Sequence, residues 1–246
     1  MRIALFADIH ANIHALDACL RHARERGATR LAFLGDFVGY GADAQPVVAT
    51  IAAEVARGAV AVKGNHDEAV DESRSYFNEA AQAALAWARA SLATEAAHFL
   101  RALPLVVREG PVCFVHASAA APERWDYIDS PAAALQCVDA AGVPYTFCGH
   151  VHDQVLYFGG ATGRMSAFQP KPGTAIPVRS HRRWLAIVGS VGQPRDRNPA
   201  AAYALFDATR EEITFFRVGY DEQAAAARIR ACGLPESLAY RVELGI

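Results

Sequence analysis

The sequence predicts an α/β fold. Three observations carry that reading. Short apolar runs of strand length recur at 3–7, 31–34 and 60–62. Segments with helical apolar spacing separate them. Each run stops at or just before a cluster of Gly, Asp, Asn or His. A β-α-β-α-β rhythm of this kind predicts parallel strands whose loops collect at one carboxyl edge.

The elements follow in order. Residues 3–7 form a continuous apolar run, as expected of a strand buried on both faces. Asn12 suits a helix N-cap, Ile13, Leu16 and Leu20 give that helix one apolar side, and Gly27 is its stop. After the 31–34 strand, Pro46 is placed to open a helix running to about residue 57. The 60–62 run is the third strand. Residues 78–103 read as helical in two segments, broken between 91 and 94. Beyond Pro104 the chain turns β-rich, with strands expected at 105–107, 112–115, 145–148 and 155–158 and a helix at 132–141. Pro and Gly are dense over 162–183, which suggests short strands or hairpin pieces. Further strands are expected at 184–188, 201–206 and 213–218, then a helix at 221–232. No repeat, linker or low-complexity tract interrupts the chain, so residues 1–246 are read as one domain.

Composition excludes several functions. With 246 residues, 52% hydrophobic, the chain can bury the core of one large domain. A net charge of −2 and a pI near 6.5 give no electrostatic case for a nucleic-acid patch. No apolar run reaches the length of a membrane span, so no membrane association is expected. The 3–7 run is too short for a signal-peptide core. Five scattered cysteines with no CxxC pair fit a reducing cytoplasm, and a cytoplasmic location is expected. Cys113 and Cys148 lie inside apolar runs and read as small buried hydrophobes. A homodimer is compatible with the sequence.

The chemistry sits in five blocks: Asp8-Ile9-His10, Gly35-Asp36, Gly64-Asn65-His66-Asp67, His116, and Gly149-His150-Val151-His152. Carboxylate, amide oxygen and imidazole suit divalent first-row metals. The set exceeds one tetrahedral site and indicates a two-metal centre. Asp8 and His10 are two apart, which on an extended backbone turns both to one side. His150 and His152 share that spacing and can serve different ions. Asp36 has two oxygens with which to bridge, and Asn65 offers a neutral amide oxygen. A lone histidine after a strand is ordinarily structural, so the ordered set carries the argument. His14, His22, His98 and His181 are assigned no role. Ser118, beside His116, lacks the elbow or oxyanion loop of a nucleophilic serine. The pairs Phe33/Phe37 and Phe215/Phe216 read as packing.

Taken together, these blocks resemble the calcineurin-like metallophosphoesterase superfamily. The wording of residues 8–12, 35–41 and 189–196 is similar to a small, stand-alone prokaryotic branch of it. The resemblance implies a four-layer αββα sandwich, two packed mixed β-sheets flanked by helices. It implies one metal held by Asp8, His10, Asp36 and His152, and a second by Asp36, Asn65, His116 and His150, with Asp36 as bridge. A water or hydroxide between the ions would be the nucleophile, His66 the general acid, and Asp67 a residue that positions its loop. The ions would be Mn, Fe, Zn, Co or Ni, among which the ligand set does not choose.

One departure from the family narrows the substrate. Protein Ser/Thr phosphatases carry Asp and Arg where this chain has Gly39 and Tyr40. The missing Asp would pair with His66, and the missing Arg would hold phosphate. The expected reaction is therefore hydrolysis of a small-molecule phosphate ester, with phosphodiester or nucleotide substrates favoured. A phosphomonoesterase or phosphoprotein phosphatase is the alternative, and a non-catalytic metal-binding scaffold is the rival from another class. Asn12 reads first as a helix cap and second as a phosphate contact. Arg195 is the other candidate substrate contact, within a 189–196 loop that reads equally well as a tight structural turn.

Overall fold

The N-terminal half follows the β-α-β-α-β rhythm. In the computed structural model, which describes residues 1–71, 77–159 and 163–246, the chain runs through β1 (Arg2–Phe6), α1 (Ile13–Glu25), β2 (Arg30–Phe33), α2 (Ala44–Ala56) and β3 (Val60–Ala61). Asn12 caps α1 as expected, accepting from the Ala15 N–H at 3.1 Å. Helix α2 begins at Ala44, not Pro46, because the first helical turn needs no internal N–H bond and tolerates proline there. A single turn, α3 (Asn65–Glu68), carries the third block. Helices α4 (Glu79–Ser91) and α5 (Thr94–Ala102) are the two expected segments.

The second half adds β4 (Val106–Glu109), β5 (Val112–Val115), a 3₁₀ turn at Pro122–Arg124, α6 (Pro131–Ala141), β6 (Tyr145–Cys148) and β7 (Gln154–Gly159). The Pro/Gly-dense stretch supplies the short strands β8 (Met165–Phe168) and β9 (Ala175–Pro177); its first residue, Thr162, lies outside the described residues. Strands β10 (Trp184–Val188), β11 (Ala201–Asp207) and β12 (Glu212–Val218) precede α7 (Glu222–Ala231) and α8 (Glu236–Leu244). Sequence reading missed α8. It is short and separated from α7 by Gly233-Leu234-Pro235, and only Leu238, Ala239 and Val242 among its residues are buried.

The strands form two six-stranded sheets, ordered β3-β2-β1-β11-β12-β9 and β4-β5-β6-β10-β7-β8. Both are mixed. In the first, β1, β2 and β3 are parallel; in the second, β5, β6 and β10 are. Alternation explains the layers. Ile3, Leu5 and Ala7 of the first run face Phe114, Phe147 and Ala186 of the other sheet. Ala4 and Phe6 point the opposite way, into Leu16, Cys19, Val48 and Ile51 of α1 and α2. Cys113, Val115, Leu185 and Ile187 turn outward onto α6. The result is helix, sheet, sheet, helix: the four-layer sandwich the resemblance implied. Among the described residues, no helix is long and apolar enough to cross a membrane.

Phe206 is fully buried between the sheets, its ring 4.7 Å from Tyr145 and 5.1 Å from Phe147. Phe206→Ala is expected to cost about 3–5 kcal/mol. Guanidinium unfolding monitored by far-UV circular dichroism checks it; a midpoint unmoved from wild type would contradict the packing described here.

Candidate metal centre

Loops from both sheets meet at one edge, and backbone bonds fix how they meet. The N–H groups of Asp8, His10 and Ala11 donate to the carbonyls of Gly35, Asp36 and Phe37 at 3.0, 2.9 and 2.8 Å. From the other side, Val191 and Gly192 donate to Ala7 and Asp8, each at 2.9 Å. The His150 N–H donates to Asp8 Oδ2 at 2.9 Å and so ties the second sheet to the first. The i, i+2 pairs converge, but not along extended strands. Asp8 (φ 53°), His10 (47°), Asp36 (56°), His150 (68°) and His152 (73°) all adopt left-handed backbone. That conformation costs a residue with a side chain roughly 1–2 kcal/mol. It persists where surrounding structure over-determines it, and such residues cluster at functional sites.

The side chains form two adjoining groups. In the first, His152 Nε2 lies 3.4 Å and His10 Nε2 3.9 Å from Asp8 Oδ1, and the two imidazole nitrogens are 3.1 Å apart. In the second, His116 Nε2 lies 3.3 Å from Asn65 Oδ1 and 3.2 Å from His150 Nδ1. Asp36 stands between them, its Oδ2 3.8 Å from His10 Nε2 and 3.4 Å from His116 Nε2. All seven residues are buried. The structure thus brings together both expected ligand sets around Asp36. A further grouping, His10, Asp36 and His66, also has spacing that can hold an ion.

These donors fit divalent metals. A backbone carbonyl only accepts, so it assigns the proton on the ring nitrogen that meets it. His10 Nδ1 donates to Val38 O, His152 Nδ1 to Gln193 O, His116 Nδ1 to Leu34 O and His150 Nε2 to Trp125 O, at 3.1, 2.6, 2.7 and 2.9 Å. With the rings neutral, the remaining nitrogens would present lone pairs to the site, as metal-bound histidines do. These nitrogens face one another at 3.1 and 3.2 Å, and Asp8 Oδ1 is buried with no hydrogen-bond partner. A cation on each side would satisfy all of them.

Burial and mutual charge set the protonation of the metal-free site. Burial pushes Asp8 up to about 7 and lowers His150 to about 3 and His66 to about 4. His10 and His152 are likewise held well below the usual imidazole range by burial. For His116 burial acts downward too, but the Asp36 carboxylate overrides it and raises the ring to about 9. Burial acts upward on Asp36, and the charges of His116 and His66 hold it well below the usual carboxylate range.

Above the metal groups lies a cleft of about 410 Å³, with Asp36, Asn65, His66, His150 and His152 among its walls. His66 packs 4.6 Å from both the Tyr40 and Phe77 ring centroids, and its Nδ1 is buried with no hydrogen-bond partner. A Cβ on Gly39 (φ +85°) would lie 2.2 Å from that nitrogen. Asp67 positions its loop as expected, accepting from Gly64, Asp36 and Phe37 N–H groups at 2.9, 2.9 and 2.8 Å. Arg195 lines the cleft. Asn12 does not: its amide hydrogens go to Gly192 O and Tyr220 Oη, both at 3.1 Å, while its oxygen caps α1. The 189–196 loop is structural at Ser190, whose hydroxyl donates to Asp8 O and accepts from Gln193 N, each at 2.8 Å. Sequence reading missed Trp125, Tyr127 and Arg241, which complete the cleft from segments that carry no motif.

Comparison with known proteins gives concordant relatives. Residues 1–211 match the family described as the calcineurin-like phosphoesterase superfamily domain. The chain is 34% identical over 253 residues to the uncharacterized protein MJ0912 of Methanocaldococcus jannaschii, covering 99% of this chain and 98% of that one. It is similar to the crystal structure of a metallophosphoesterase from Sphaerobacter thermophilus, with TM-score 0.88, 34% identity, and 100% and 99% of the two chains covered. The hypothetical protein PH1004 from Pyrococcus horikoshii OT3 shares the fold at TM-score 0.80 and 19% identity, over 100% of this chain and 98% of that chain.

Ligation requires a neutral His116 and an ionised Asp8, whereas their pKa values in the metal-free site are about 9 and about 7. Both shifts act with the same sign: lower pH keeps the protons on and opposes metal. Mn²⁺ added to metal-free protein at pH 7 is therefore expected to release protons and to bind more weakly at pH 6 than at pH 8. Calorimetric titration in buffers of different ionisation heat reads the proton count, and proton uptake would contradict this assignment.

Proposed function

The chain belongs to the calcineurin-like phosphoesterase superfamily, and from that premise we propose a hydrolase that holds two divalent metal ions and cleaves phosphate esters, preferring phosphodiester or nucleotide substrates. The observation that carries this reading is the pair of acceptor clusters sharing Asp36 at the floor of the cleft. One ion would be held by Asp8, His10, Asp36 and His152, the other by Asp36, Asn65, His116 and His150. Bound there, the ions would supply Lewis acidity, activating water and neutralising phosphoryl oxygens.

The chain's own groups do the rest. Carbonyls of Val38, Gln193, Leu34 and Trp125 hold each imidazole in its ligating tautomer. His66 lines the cleft without being needed as a ligand, so its ring is placed to hydrogen-bond the leaving oxygen, as a neutral imidazole because burial holds it to about 4 in the metal-free site. Its Nδ1 faces Gly39, where there is no space for even a methyl group. No carboxylate orients this histidine from that position, which argues against a dedicated phosphoserine or phosphothreonine phosphatase. A phosphomonoesterase is the second reading, since the cleft can also admit a terminal phosphate. A non-catalytic scaffold is disfavoured by the full complement of ligand residues.

Metal-free protein refilled with Mn²⁺ and assayed on mono- and bis-(p-nitrophenyl) phosphate tests the proposal. Turnover of the diester is expected to exceed that of the monoester; activity on neither, with two ions bound, would sink it. Asp36→Asn is expected to lose metal and turnover together. His66→Ala should retain both metals by elemental analysis and lose about 10²–10⁴ in rate, most where the leaving group is poor. Loss of a metal in that variant would make His66 a ligand instead.

A further inference from the structure

The C-terminal helices lie beyond residue 211, where the family match ends, and contribute nothing to the metal clusters. Helix α8 nevertheless reaches the cleft through Arg241. Its neighbours on the helical pair are engaged elsewhere: Arg228 with Asp43 at 3.1 Å, Arg230 with Glu236 and Glu243 at 2.6 Å each. Arg241 has no ion pair, and Asp36 is the one carboxylate residue on the cleft wall, among the described residues.

Arg195 enters the same cleft from the 189–196 loop. It too lacks a carboxylate partner among the described residues. Its Nη2 donates to Gln193 Oε1 at 3.3 Å, while its Nε is buried and without a partner. The guanidinium sits 5.8 Å from the centre of the Tyr40 ring, within cation–π range. Tyr40 in turn packs against the alanine-rich cluster that seats α7 and α8. Besides burial, which raises it, the Tyr40 hydroxyl feels the charges of both arginines. Arg124, the third arginine on the wall, differs: it pairs with Asp126 at 3.2 Å.

Two guanidinium groups that make no ion pair among the described residues, held in one cleft around one tyrosine, are suited to planar recognition of phosphate, although Arg195 also feels the Asp8 and Asp153 carboxyls at longer range. The scissile phosphate does not require both, because the metal clusters already face it. We propose that Arg241, together with Arg195, forms a subsite for a second phosphate, so that the preferred substrate carries a phosphate in addition to the one hydrolysed. The proposal rests on the phosphoesterase reading and names its substrate class.

Two chromogenic diesters with the same leaving group test it: thymidine 5′-(p-nitrophenyl phosphate) and its 3′-phosphorylated counterpart. Mn²⁺-loaded wild type is expected to favour the 3′-phosphorylated ester in kcat/KM. Arg241→Ala should lower that preference about tenfold, mainly through KM, as expected for loss of one charge-assisted hydrogen bond. Arg241→Lys should restore part of it, and Arg124→Ala should shift it less than about twofold, as for a solvated ion pair. A preference unchanged by Arg241→Ala, or lowered equally by Arg124→Ala, overturns the subsite. Hydrolysis of neither ester by wild type overturns the phosphoesterase reading instead. In that event calorimetric binding of thymidine 3′,5′-bisphosphate against thymidine 5′-monophosphate still decides the subsite: an equal change for both ligands in Arg241→Ala refutes it.

Discussion

The Asp36 carboxylate is the constraint around which the functional edge is arranged. It is nearly fully buried, where a lone ionised carboxylate would be costly. The surrounding loops compensate. Its Oδ1 accepts the His66 N–H at 2.8 Å, and its Oδ2 faces His10 from one side and His116 from the other. Asp67 returns the contact by accepting the N–H groups of Asp36 and Phe37. Two loops thus exchange carboxylates for backbone donors, which locks the β2 and β3 ends together before any ion is considered. Gly64 follows from the same contact: a Cβ there would lie 2.1 Å from Asp36 Oδ1. Glycine precedes the ligand because the carboxylate occupies the place of its side chain.

That arrangement explains why strain is concentrated here. Lone pairs on four imidazoles, one amide and two carboxylates converge within a few ångströms, and several of their residues take left-handed backbone to do so. Neither feature stabilises the fold. Both are sustained by the two parallel strand groups, whose buried faces are packed against each other and against α1, α2 and α6. The stability of the sandwich supports a site that is unfavourable by itself, as expected where function rather than folding selects the residues.

Much of this was legible in the sequence. The continuous apolar run at residues 3–7 announced a strand buried on both faces, and its alternate residues do serve two layers. Ligand types at strand ends announced the edge at which they cluster, since strand direction alone collects those ends. The tautomer-fixing partners were not legible, because they are backbone carbonyls of Val38, Gln193, Leu34 and Trp125, and a carbonyl has no residue identity. Nor was the route by which Asp8 and His10 converge: the i, i+2 rule assumes extended backbone, and tight loop contacts impose left-handed turns instead. Helix α8 escaped because its few buried positions are too short a signal of periodicity.

The illegible parts are also where, on the proposed reading, specificity would reside. Ions held by two clusters sharing a carboxylate would act on any phosphate ester that reaches them; choice among esters would depend on what surrounds the leaving group and the remainder of the substrate. On the leaving-group side, Gly39 leaves the His66 Nδ1 buried and unpaired, and no side chain at that position can correct it without displacing the ring. On the opposite count, Tyr40 stands where an arginine would serve phosphoproteins, yet positive charge is not absent: Arg195 lies over its ring and Arg241 enters from α8. On the proposed reading, cationic recognition would come from segments distant in sequence rather than from the metal loop. A substrate would then have to extend beyond its scissile group to benefit, which is the physical reason for proposing a nucleotide over a simple ester.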